Sequence, residues 1–111
     1  MNTFGITEKS YRLIQDALQQ FSEIEKVYIY GSRARGDYRN GSDIDLALLG
    51  EKVNTQTAFK LRVLLNEELP VPYYIDVVCY PDLKQSLLKS EIDRDGKEFY
   101  HQPKTSTSFL N

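Results

Sequence analysis

The 111 residues carry 14 basic and 16 acidic side chains, a net charge of −2 and a pI near 5.4, a balance that speaks against non-specific binding to nucleic acid or to an acidic membrane. The single cysteine, Cys79, excludes an intrachain disulfide and fits a reducing cytoplasm. No apolar run approaches the roughly 18 residues of a membrane span, and the N-terminus shows no signal-peptide pattern. The expectation is a cytoplasmic α/β domain over residues 1–100 with a flexible tail over 101–111.

Thr7 is a candidate N-cap for a first helix from Glu8 to about Gln20, in which Tyr11, Ile14, Leu18 and Phe21 form one apolar stripe. Lys26–Tyr30 alternates Val27 and Ile29 with Tyr28 and Tyr30 and reads as a strand. A loop dense in Gly, Arg and Asp follows over Gly31–Gly41, with a helical turn expected through Ser32–Arg35. Ser42–Leu49 reads as the second strand. Asn54 or Thr55 can cap a second helix to about Glu68, its inner face carrying Ala58, Leu61, Leu64 and Leu65, with Pro70 and Pro72 ending it. Tyr73–Tyr80 is the third strand. Pro81 suits the first turn of a third helix whose Leu83, Leu87, Leu88 and Ile92 face inwards, with Gly96 past its end. Lys97–Tyr100 is a short last strand or strap. This order predicts an α+β fold: a small mixed sheet of three to four strands with helices packed against it.

The chemistry-bearing residues sit at the joints of this pattern. Asp43 and Asp45 stand at i and i+2, and strand residues two apart project from the same face. Asp76 lies in the otherwise apolar run Tyr73–Cys79, where an acid is disfavoured by strand propensity and costly if buried unpaired. Alone it could be an edge-exposed or partner-satisfied acid. If its strand lies beside Ser42–Leu49, three carboxylates meet on one face, and like charges opposite one another destabilise a sheet. One or two Mg²⁺ ions would neutralise them, since Mg²⁺ prefers hard oxygen ligands. Gly31-Ser32 adds a turn at which backbone can approach a phosphate closely. Arg33 and Arg35 are cations that could contact phosphate or could simply be solvated.

Other sites fit less well. Gly31 and Gly36 have the glycine spacing of a P-loop, but Asp37 and Tyr38 stand where its Lys and Ser/Thr would be. A hydrolase triad or zinc site needs more histidine or cysteine than His101, placed in the expected tail, and Cys79, which reads as a small buried hydrophobe. Two acids side by side on one strand also leave little to keep one neutral, as a glycosidase requires.

Gly31-Ser32, ten intervening residues, Asp43-Ile44-Asp45 and the later strand acid Asp76 together resemble the nucleotidyltransferase superfamily with the DNA-polymerase-β-like palm. The string from Gly31 to Ala47 is most similar to its minimal members, the MNT proteins, often the antitoxin half of a HEPN–MNT pair. The resemblance, which covers roughly residues 7–100, implies that Asp43, Asp45 and Asp76 bind the metal ions, two Mg²⁺, and are the catalytic acids. Asp76 would also help deprotonate the acceptor hydroxyl. It further implies that Gly31 and Ser32 hold the β- and γ-phosphates of the nucleoside triphosphate, with Arg33 as a helper. The family reaction is transfer of a nucleoside monophosphate to a hydroxyl with release of pyrophosphate. In the toxin–antitoxin subfamily, ATP supplies AMP to a tyrosine of the HEPN toxin.

With little chain beyond the sheet and its helices, the expected acceptor surface comes from a partner protein or from a second copy of the chain in a homodimer. The resulting expectation is a Mg²⁺-dependent adenylyltransferase that acts as an antitoxin on a HEPN-type helical toxin. The competing expectations are a non-catalytic module that blocks the toxin by contact, and transfer to a small molecule such as an aminoglycoside.

Overall fold

The computed structural model describes residues 2–84 and 86–103. Helix α1 (Glu8–Gln19) starts where Thr7 accepts from the Ser10 N–H, and it buries Ile14, Ala17 and Leu18. Strand β1 (Lys26–Tyr30) runs into a single helical turn, α2 (Ser32–Arg35). Strand β2 (Ile44–Leu49) precedes α3 (Thr55–Val63), which is opened by an Asn54–Thr57 capping box and continues as a π-helical turn over Leu64–Glu68. Strand β3 (Ile75–Cys79) is followed by a 3₁₀ turn (Tyr80–Asp82), helix α4 (Leu87–Asp95) and strand β4 (Lys97–His101). The four strands form one mixed sheet in the order β3-β2-β1-β4. Strand β1 is antiparallel to both neighbours, and β3 is parallel to β2, as its crossover through α3 requires.

The strand periodicity gives the sheet two unlike faces. Val27, Ile29, Ile44, Leu46, Leu48, Ile75 and Val77 point to one side, where they pack with Ile14, Leu18, Leu61 and Leu65 in the main core. The other side carries Tyr28, Tyr30, Asp45, Ala47, Asp76 and Val78, and α4 covers part of it through Ile92. The acids therefore stand on the face opposite the main core.

Each outer strand has at least one open backbone group taken by a helix side chain. Asn66, in the π-helical turn, donates to Ile75 O at 2.8 Å and accepts from Ile75 N–H at 2.8 Å, so its amide stands in for a missing strand neighbour. At the other edge, the pairing moves from Val27↔Tyr100 to Tyr28↔Glu98, which leaves Phe99 as the bulged residue. Its carbonyl accepts from Gln15 of α1 at 2.7 Å. These contacts satisfy groups that would otherwise offer a pairing edge.

The predicted elements hold, with five differences. β2 begins at Ile44 rather than Ser42, because the Ser42 N–H closes a turn onto Arg39 O and its carbonyl is bound by Arg33; Asp43 thus lies one residue before the strand. β3 is shorter than Tyr73–Tyr80. Pro81 starts a 3₁₀ turn, not the last helix, which waits for Ser86 to accept from the Lys89 N–H. Leu87, expected inside, is 90% exposed, because as the first residue of α4 it turns away while Leu88 and Ile92 face the sheet. His101, placed in the tail, ends β4; residues 104–111 of the expected tail lie outside the described residues.

The edge contacts give a stability prediction. Asn66→Ala leaves both Ile75 groups without a protein partner and should lower the stability by about 1–3 kcal/mol, read as a lower urea midpoint with an unchanged slope. An unchanged midpoint would show that water serves Ile75 equally well.

Candidate active site

Tyr30, Asp45 and Asp76 form a row across three strands, since Tyr30 pairs with Asp45 and Asp45 with Asp76. Residues paired in this way send their side chains to the same face, with backbones roughly 4.8 Å apart. Asp43 precedes the row by two residues and is exposed. The three acids inferred from the sequence therefore come to one end of one face. Asp45 feels this most: burial first, then the charges of Asp76, Asp43 and Glu91, push its carboxyl up to about 6. Tyr30, 4% exposed, has its hydroxyl held far above the usual range by burial and by Asp45, Asp76 and Glu91, so it stays a neutral hydroxyl beside the acids.

Gly31 ends β1 against this row. Its φ is +76°, and a Cβ built there would lie 2.5 Å from Asp45 Oδ2. Both facts demand glycine. The following turn closes through Ala34 N and Arg35 N donating to Gly31 O, and through Gly36 N and Asp37 N donating to Ser32 O. The N–H groups of Ser32 and Arg33 open this turn with no acceptor inside it. They lie next to the acid row, where an oxygen-rich anion held through a cation would meet them.

Arg33 does something other than expected. It is 2% exposed. Nε and Nη2 donate to Ser42 O at 3.1 and 2.8 Å, and Nη1 donates to Phe4 O at 2.9 Å and Gly5 O at 3.2 Å. The Tyr38 and Tyr73 rings lie 5.0 and 4.8 Å from its guanidinium carbon. Arg33 is therefore a buried clamp, joining the N-terminal segment and the Gly-Ser turn to the backbone just before Asp43, with Nε, Nη1 and Nη2 each bound to backbone carbonyls.

The available cation on the turn is Arg35. It is exposed and, among the described residues, its side chain pairs with carboxylates: Asp37 at 3.2 Å, Glu91 at 3.6 Å and Asp95 at 3.8 Å. Glu91 and Asp95 come from α4, so this network ties the turn to the helix over the site. Sequence spacing did not single out Glu91. Its only signal is its place next to Ile92, the residue that docks α4 on the sheet.

Asp76 also has a partner. Arg62, from α3, brings Nε to 3.9 Å from Asp76 Oδ1. Among the described residues, no three His, Cys, Asp or Glu side chains already stand within reach of one ion. The donor chemistry nevertheless suits Mg²⁺: hard carboxylate oxygens, directly paired in register, with the Asp45 carboxyl raised first by burial and then by the neighbouring acids.

The polymerase β nucleotidyltransferase family matches residues 12–105 of the sequence. The chain belongs to that family. Among solved structures, a toxin–antitoxin complex with AMP-PNP aligns with a TM-score of 0.65 at 19% identity, covering 87% of this chain and 75% of that one. A complex of a tri-AMPylated Shewanella oneidensis HEPN toxin with an MNT antitoxin aligns with a TM-score of 0.63 at 18% identity, covering 86% and 72%. A protein from Sulfolobus solfataricus described as a candidate nucleotidyltransferase gives 0.51 at 24% identity, covering 90% and 81%. No curated protein matches the sequence. At these identities the solved structures show a shared fold. The expected α+β architecture and nucleotidyltransferase class both stand on these findings. Among the described residues, no helix is long and apolar enough to cross a membrane.

The raised Asp45 carboxyl gives this nucleotidyltransferase a pH signature. The folded state holds the Asp45 proton more tightly than the unfolded chain. Its ionisation therefore costs nothing below pH ~4, and the destabilisation grows as pH rises through the folded value of about 6. In metal-free buffer at pH 7.5, Asp45→Asn should be more stable than wild type by about 1–2 kcal/mol, the shift being discounted for a half-solvated group. Thermal melts at pH 7.5 and pH 4 check this: the gap should close at the lower pH. A variant less stable at pH 7.5 would contradict the picture of Asp45 as an unrelieved charge.

Proposed function

We propose that the chain transfers AMP from ATP to a hydroxyl, a tyrosine, of a HEPN-type toxin, and so acts as its antitoxin. The observation that carries this reading is the Asp45–Asp76 pair, in register on one face, with Gly31 packed against Asp45 at the start of an open turn. The partner class is supported by the fold shared with chains of the toxin–antitoxin complexes.

Asp43 and Asp45 would hold two Mg²⁺ ions with the triphosphate, and Asp76 would complete the second site. Bound there, Mg²⁺ would supply neutralisation of the charge that develops on the phosphates. Gly31 and Ser32 would place the β- and γ-phosphates, and Arg35 would offset their charge, the part expected of Arg33. The acceptor O–H oxygen bonds to the α-phosphorus, its proton passes to Asp76, and the α–β phosphate bond breaks to release pyrophosphate. Attack and departure must lie in line, so phosphates held at the end of β1 leave the acceptor to approach from the β3 side, where Asp76 stands. Tyr30, buried and resistant to ionisation, is not an acceptor.

Intact-mass measurement of a HEPN-type toxin co-produced with the chain tests this. Wild type should add AMP-sized increments, and Asp45→Asn should reduce them on the order of 100-fold or more. A toxin neutralised equally by both proteins, with no added mass, would leave inhibition by contact as the function instead.

A further inference from the structure

We infer that Arg62 is a built-in counter-ion for Asp76: a positioning residue that occupies the third acid in the metal-free protein and must release it when the divalent cation binds. The inference rests on the proposed metal role of Asp45 and Asp76, and deepens it. Arg62 belongs to α3, which packs on the opposite face of the sheet from the acids. Its side chain reaches Asp76 only because β3 is an outer strand. On the way, Nη2 donates to Val77 O at 2.5 Å, a carbonyl that no strand takes. The guanidinium is thereby anchored at the sheet edge while Nε stands 3.9 Å from Asp76 Oδ1.

Two further observations give this pair a function beyond edge capping. First, the acids are treated unequally. Asp45 stands between Tyr30 and Asp76 in the row, whereas Asp76 has the Arg62 cation in reach at the sheet edge. Second, among the described residues the acids are not yet gathered around one point, and Asp76 is the one with a competing partner. The Arg62 and Asp76 side chains are 36% and 42% exposed, so the contact is solvated, and such pairs are weak enough to exchange. The carbonyl bond to Val77 does not involve Asp76 and can persist after the exchange. Arg62 and the metal cation thus compete for one carboxylate, and the competition sets the cation affinity of the site.

Two measurements test this. In ¹⁵N-edited NMR spectra, the Arg62 Nε–Hε signal, identified by its loss in Arg62→Gln, should move as Mg²⁺ is added to wild type and stay still in Asp76→Asn. Mn²⁺ binding, followed by the EPR signal of the free ion, should be roughly three- to tenfold tighter in Arg62→Gln, the size expected from removing one nearby like charge. Arg62→Lys, which keeps the charge, should stay closer to wild type. In the Asp76→Asn background the Arg62→Gln gain should vanish. A purely structural role for Arg62 would weaken Mn²⁺ binding or leave it unchanged, and either result overturns the inference. If loss of the Val77 contact prevents Arg62→Gln from folding, the arginine signal is identified by assignment of wild type. An Arg62 signal that ignores saturating Mg²⁺ then overturns the inference unaided. Wild type that binds no Mn²⁺ would overturn the metal reading as well, whereas binding that is the same with and without Arg62 would overturn this inference alone.

Discussion

The constraint on which the rest depends is the contact between Gly31 and Asp45. A strand must end, the chain must turn, and a carboxylate on the neighbouring strand must stand where any side chain at the turn would be. Only glycine permits this, and the gap it leaves brings the open N–H groups of the turn beside an acid. Register does the rest. Once Tyr30 pairs with Asp45, the parallel strand β3 places Asp76 on the other side of Asp45. Any slip of one residue would send that acid into the core with Ile75 and Val77.

Such a row opposes folding, and the structure offsets it at the periphery. Arg33 is buried among backbone carbonyls and two tyrosine rings, and it holds the segment before Asp43 in place. Asn66 and Gln15 complete the two outer strands. The main core lies wholly on the other face, so the acid face does not have to be apolar. The fixed parts are thus buried and uncharged or fully hydrogen-bonded. The exchangeable contacts, those of Arg35 and Arg62, are solvated and involve carboxylates near the row.

Much of this was legible in the sequence, for identifiable reasons. Thr7, Asn54 and the alternation in Lys26–Tyr30 act locally, and local signals predicted α1, α3 and β1 closely. Gly31-Ser32 and Asp43-Ile44-Asp45 were legible as chemistry because their spacing within one turn and one strand carries geometry. The pairing of Asp76 with Asp45 depends on strand order, which local patterns only suggest. The burial of Arg33 was not legible because composition cannot tell a buried guanidinium from a solvated one; that depends on carbonyls of Phe4, Gly5 and Ser42 contributed by two other segments. Glu91 and Arg62 were missed for the same reason: both reach the acids from elements whose own patterns speak only of packing. Leu87 shows the opposite failure, an apolar residue whose place in the helix, not its type, decides its exposure.

The central claim is that this site moves a nucleoside monophosphate and not a phosphate. The most direct measurement incubates the chain and a HEPN-type toxin with Mg²⁺ and ATP radiolabelled at either the α- or the γ-phosphorus. Protein-bound label is expected from α-labelled ATP alone, with the γ-label recovered as pyrophosphate. Label entering protein from the γ-position, or from neither, would contradict the claim.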